Sequence, residues 1–199
     1  MERSALYRRA LAPLMIFAGA LGVAGALMGR WLAFAEPQGF VAYWYGVAAV
    51  GLIGGFLMVR RQAWQQSEPF WSPPMRRVAQ AVLPPLTAGF VLGVLIVLAA
   101  RGFTTKGLVV LGLPLAWSIL YGCALHAAGF FMTRGMRLFG WVFIVGGCVA
   151  AFVGYLAGEP GTDAGVLNAG YGLMGLFFGL LQLAYGVYLY FTEPRRDET

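Results

Sequence analysis

The chain has 199 residues, of which 60% are hydrophobic before its 29 glycines are counted and only 11% are charged. Soluble domains average about 25% charged residues, so this composition excludes an ordinary water-soluble fold and points to an integral membrane protein. The net charge of +6 does not read as a nucleic-acid surface, because the basic residues flank apolar runs instead of forming one patch.

The charges leave six uncharged runs, at 10–29, 37–59, 78–100, 107–133, 138–158 and 164–192. About 20 apolar residues span the hydrocarbon core as a helix, and each run is long enough. A membrane β-barrel would alternate apolar and polar residues in strands of about ten, a pattern absent here. The expected fold is all-α: one membrane domain, a six-transmembrane-helix bundle with spans at about 11–28, 40–59, 79–100, 108–132, 138–157 and 164–191.

The N-terminal stretch, with Arg3, Arg8 and Arg9, leads into helix 1. Ala33-Phe34-Ala35 resembles a signal-peptidase site, but the apolar run before it exceeds the 7–15 residues of a signal core. Helix 1 carries Gly19, Gly22, Ala26 and Gly29 on one face, which permits close backbone approach. Trp31, Tyr43, Trp44 and Tyr45 suit the aromatic belt at one interface.

The segment 60–77 is the longest connection, with two arginine pairs bracketing Trp64, Phe70 and Trp71 and three prolines opposing a long helix. Its Arg76, Arg77 and aromatics fit either an anionic lipid surface or a docking surface for a partner. Helix 3 carries Pro84 and Pro85 early and a Gly89/Gly93 pair later.

Helix 4 holds the only histidine. Ser118, Gly122, His126, Gly129 and Thr133 are spaced 4, 4, 3 and 4, which puts them on one helical face. That small, polar face is expected to meet protein, and the side with Leu120, Leu125, Phe131 and Met132 to meet lipid. Helix 5 repeats the theme with Gly140, Gly147, Ala151, Gly154 and Gly158. Helix 6 carries Asn168, Gly172, Gly175, Gly179, Gln182 and Gly186 as a heptad-like seam. A Tyr-Gly pair recurs at Tyr45, Tyr121, Tyr171 and Tyr185, which chance explains in so glycine-rich a chain.

Orientation follows from the arginines. With the N-terminus inside, eleven basic residues lie on the inner side and three (Arg30, Arg101 and Lys106) on the outer side. The expected location is a bacterial inner membrane with both termini cytoplasmic.

For chemistry, His126 lies eight residues before Arg134, and Tyr185 eight before Glu193, each ~12 Å from the cytoplasmic end. If the polar seams of helices 4 and 6 face each other, His126, Gln182, Tyr121 and Tyr185 would line a cavity. No Asp, Glu, Lys or Arg lies deep in a run, so the usual carboxylate relays of ion-coupled transport lack their residues. One histidine and two cysteines, Cys123 and Cys148, do not make a haem or zinc site. Ser118 and His126 stand ~12 Å apart, too far for a nucleophile–base pair. The outer charges Glu159, Asp163, Arg101 and Lys106 form no recognisable catalytic pattern.

The leading expectation is a non-catalytic membrane subunit or scaffold, without cofactor or nucleic-acid partner. It would interact with the lipid bilayer, a second copy or another membrane protein through its glycine-lined helices and the 60–77 segment. The alternative is a small-molecule transporter or channel with a cavity near His126 and Gln182.

Overall fold

The computed structural model describes residues 3–32, 36–65, 73–99, 106–132, 134–158 and 162–192. Among the described residues, six helices are long and apolar enough to cross a membrane. They are α1 (Arg3–Leu32), α2 (Pro37–Gln65), α3 (Pro73–Ala99), α4 (Lys106–Ala128), α5 (Arg134–Ala157) and α6 (Asp163–Thr192). The chain is therefore a polytopic membrane protein. In hydrocarbon every backbone N–H and C=O needs a partner, and a helix supplies nearly all of them within itself.

Several helix ends fall outside the expected bounds. α2 continues through Arg60 and Arg61 to Gln65, and α3 starts at Pro73, where a proline ring fits the first helical turn. The arginine pairs therefore sit on helix ends and not in a loop. α4 stops at Ala128 instead of running to Met132. Turn hydrogen bonds from Phe130 N–H to Ala127 O and from Phe131 N–H to Ala128 O replace the helical ladder there. This turn brings Gly129 onto the backbone and side chain of Arg137, so the return into α5 is immediate.

The packing is organised around α4, which touches α2, α3, α5 and α6. Leu125 is buried in the core and Leu120 lies against Gly89 of α3. The expectation that these residues face lipid is corrected: α4 has neighbours on nearly every side, so both its small and its large faces meet protein. Phe131, past the helix end, is exposed.

The small face of α4 meets α5. A methyl group at Gly140 would lie 2.6 Å from the His126 backbone nitrogen, and one at Gly147 would lie 2.5 Å from Ser118 Oγ. The glycine seam of α6 meets α1. A methyl at Gly179 would lie 2.9 Å from Val23 N, and one at Gly186 would lie 2.7 Å from Ile16 N. From the α1 side, Gly19 abuts Leu183 and Gly22 abuts the Phe178 carbonyl. The seams of α4 and α6 thus face different partners, because each heptad-like stripe selects the helix whose backbone approaches closest.

Proline shapes one further contact. Pro114 has no N–H, so the carbonyl of Val110 loses its intrahelical donor. Gly170 of α6 closes on that carbonyl, and a methyl there would lie 2.9 Å from Val110 O. α3 is held more loosely, by Trp117 Nε1 donating to Gly89 O at 2.9 Å and Tyr45 Oη donating to Phe90 O at 2.6 Å. Its outer face, with Leu83, Phe90, Val91 and Leu95, is exposed, as is the face of α5 with Trp141, Val145 and Phe152.

Two hydrophobic cores stack along the bundle. One contains Phe40, Trp44, Leu113, Tyr171 and Met174, in the half away from the arginine pairs. The other contains Leu11, Met15, Leu125, Phe139, Phe143 and Phe177, in the half nearer those pairs. Phe178 packs against both.

Candidate functional site

The interior is sparing with polar groups. Among the described residues the buried polar side chains are Ser118 and Gln182, apart from aromatic hydroxyls and indoles. Ser118 Oγ donates to Leu115 O at 2.8 Å on its own helix. Gln182 is therefore the buried polar group with the most unspent hydrogen-bonding capacity.

Its position follows from a change of helix type. α6 is α-helical over Asp163–Met174, π-helical over Gly175–Leu181, and α-helical again over Gln182–Thr192. A π turn widens the helix and shifts the phase of everything after it, and such turns recur at functional sites. Here it turns the adjacent Phe177 and Phe178 both inward. Phe143 stands 5.9 Å from the Phe177 ring and 6.0 Å from the Phe178 ring. Gln182, the first residue after the π turn, is 3% exposed.

Gln182 meets the Tyr121 hydroxyl of α4, side chain to side chain. Gln182 Oε1 has no hydrogen-bond partner among the described residues, so the amide nitrogen is the end turned to the Tyr121 hydroxyl. The Tyr121 ring lies edge-on to Phe143 at 5.2 Å and to Phe178 at 5.6 Å. Tyr185 stacks on Phe139 at 4.1 Å and borders the same core as Tyr121.

His126 lies elsewhere. It follows Tyr121 by five residues, about 140° around a helix of 3.6 residues per turn. Tyr121 faces α6, so His126 faces the α5 edge. Its ring is edge-on to Phe130 at 5.3 Å and to Trp141 at 5.5 Å, both exposed. Nδ1 stands 3.4 Å from Arg137 O. The Arg137 guanidinium covers the Phe130 ring at 5.3 Å, a cation–π contact at the membrane boundary. The structure thus joins Tyr121, Gln182 and Tyr185 around one core and sets His126 on the outer flank.

Of the proposed docking residues, Trp64 is 83% exposed, and Arg76 and Arg77 are exposed. Phe70 and Trp71 lie outside the described residues. Cys123 and Cys148 are free thiols, the first half-buried and the second exposed. Among the described residues no three His, Cys, Asp or Glu side chains come together as metal ligands.

Sequence reasoning missed two groups. Trp44 passed as a belt residue and Tyr171 as half of a Tyr-Gly pair, yet both are buried with an unpartnered polar atom. The available signal was phase: Gly25 and Gly29 on α1 leave room for large rings beside them. Comparison with protein-family models, with curated proteins and with solved structures finds no match for the chain.

Proposed function

We propose that the protein is a non-catalytic membrane subunit, a scaffold resident in a bacterial inner membrane with both termini cytoplasmic. The observation that carries this reading is the closure of its interior. The α1–α6 and α4–α5 seams bring backbone against backbone, with no room for a methyl group at Gly22, Gly140 or Gly186. Among the residues whose side chains are described, no acidic or basic one is buried. Such an interior suits rigid packing better than a path for solutes.

Because these glycines are used within one chain, we assign the partner-facing surface to the basic end of the bundle. The antiparallel course of the helices puts Arg60, Arg61, Arg76, Arg77 and Arg134 at that end, all exposed, together with Trp64. Exposed arginines beside an indole suit an acidic protein surface at the membrane boundary.

A photo-reactive amino acid at position 64, introduced in cells, tests this. One protein adduct of fixed mass, lost when Arg76→Glu and Arg77→Glu are combined, is the expected result. Adducts with lipid alone, unchanged by the charge reversal, would count against a docking role.

A further inference from the structure

In the half of the bundle away from the arginine pairs, Phe40, Tyr43 and Trp44 of α2 gather around Tyr171 of α6. Ring centroids are 5.0 Å apart for Phe40 and Tyr171, and 6.4 Å apart both for Tyr43 and Tyr171 and for Trp44 and Tyr171. Trp44 is 2% exposed and Tyr171 1% exposed. Trp44 Nε1 and the Tyr171 hydroxyl have no hydrogen-bond partner among the described residues, whereas Tyr43 Oη donates to Gly25 O at 2.6 Å.

A buried polar group left without a partner is costly, because it gives up its hydrogen bonds to water and gains none in return. Two in one cluster, in a membrane where bulk water does not compensate, are a specific chemical demand. An indole N–H only donates, and a phenol O–H donates as well as accepts. What the pair lacks is an acceptor. A carbonyl oxygen carries two lone pairs and can take both donors at once. The surroundings are aromatic and aliphatic side chains, Phe40, Val41, Leu113 and Met174 among them, which suit an apolar body.

Position agrees with a ligand from the lipid phase. Trp44 is seven residues from Pro37 and Tyr171 eight from Asp163, so both lie ~10–12 Å along their helices from that end. Asp163–Thr192 is 30 residues long, ~45 Å against a core of ~30 Å, so its ends overhang and the pair sits a few ångström inside the hydrocarbon. Nearer the surface, the exposed Arg30 donates to Asn168 O at 3.2 Å, which sets a cation above the cluster.

We propose that Trp44 and Tyr171 form a binding site for a lipid-soluble molecule that presents a carbonyl oxygen to the indole N–H and the phenol O–H. Two sources carry that chemistry: the acyl ester of a phospholipid and the ring carbonyl of a quinone-like compound. The site is independent of the subunit reading and stands or falls without it.

The test uses the full chain in nanodiscs of ester-linked or ether-linked phosphatidylcholine, the latter lacking acyl carbonyls. Ultraviolet resonance Raman reports indole hydrogen bonding, with Trp44→Phe assigning the Trp44 signal. Menadione serves as the ring-carbonyl probe, followed by tryptophan quenching. A bonded Trp44 in ester discs that is lost in ether discs assigns the lipid source. Saturable menadione quenching, weakened about tenfold by Tyr171→Phe, assigns the ring-carbonyl source (one hydrogen bond's worth of affinity). A bonded indole in both discs supports the proposal only if solvent extraction yields a carbonyl compound present with the wild type and absent with Tyr171→Phe. An unbonded indole throughout with linear, variant-independent quenching overturns it. So does a bonded indole indifferent to lipid, menadione and Tyr171→Phe. If Tyr171→Phe does not fold, menadione retention by Trp44→Phe on gel filtration gives the same affinity comparison.

Discussion

The Tyr121–Gln182 pair makes a prediction whose sign is decided by the structure. Three variants suffice: Tyr121→Phe, Gln182→Leu and their combination. Tyr121→Phe removes the hydroxyl that the Gln182 amide nitrogen meets and leaves both ends of a 3% exposed amide without a partner. The expected cost is about 1–3 kcal/mol. Gln182→Leu keeps the volume and removes the unpartnered Oε1, but strands the Tyr121 hydroxyl. These effects offset, so stability should stay within about 1 kcal/mol of wild type. The double variant leaves neither orphan. It loses the Tyr121–Gln182 contact, worth about 0.6 kcal/mol if it matches an average membrane hydrogen bond. It also removes an unsatisfied oxygen costing about 1–3 kcal/mol. The net expectation is a gain of about 0.5–2 kcal/mol, and hence strong coupling between the two positions. Reversible unfolding in mixed micelles or by steric trapping supplies the free energies. A double variant destabilised by more than about 2 kcal/mol would refute the reasoning, because Oε1 would then be a satisfied group whose partner is lost.

Two further predictions concern packing. Gly140→Leu should cost about 3 kcal/mol or more or prevent folding, since even a methyl there meets the His126 backbone at 2.6 Å. Gly154→Ala, with nothing within 4 Å of the added carbon, should instead stabilise by about 0.5–1 kcal/mol; both are read by the same unfolding assay. His126→Phe keeps the edge contacts with Phe130 and Trp141 and removes only a 3.4 Å approach to Arg137 O, so its effect should stay below about 1 kcal/mol. A large loss there, measured by thermal melting in detergent, would restore His126 as more than a flank residue.

The six helices were legible because charge is excluded from hydrocarbon, and Arg30, Arg60, Arg101, Arg134 and Glu159 mark the interruptions. Helix ends were less legible, because Arg60, Arg61, Arg76 and Arg77 have long stems that let a helix run on into the headgroup region. Partner choice was not legible at all. A stripe of glycines says that a backbone comes close, but not whose: Gly122 found α5, and Gly179 found α1. Leu125 read as lipid-facing because hydrocarbon and protein core select the same side chains, so hydrophobicity cannot separate them inside a membrane. Placing His126 with Tyr121 on one cavity overlooked the ~140° between them, an error that helical arithmetic exposes without coordinates. The π turn before Gln182 had no sequence signal beyond Gly175 and Gly179 themselves.

The pairing of α1 with α6 also bears on how the protein is made. Gly19 waits for Leu183, which lies 164 positions later (183 minus 19). At synthesis rates of about 5–20 residues per second, that interval is about 8–33 s. Throughout it, the first helix resides in the bilayer with its narrow, ridge-seeking face against lipid or a helper protein. The first and sixth of these helices clasp each other, and their seam closes only when the sixth arrives.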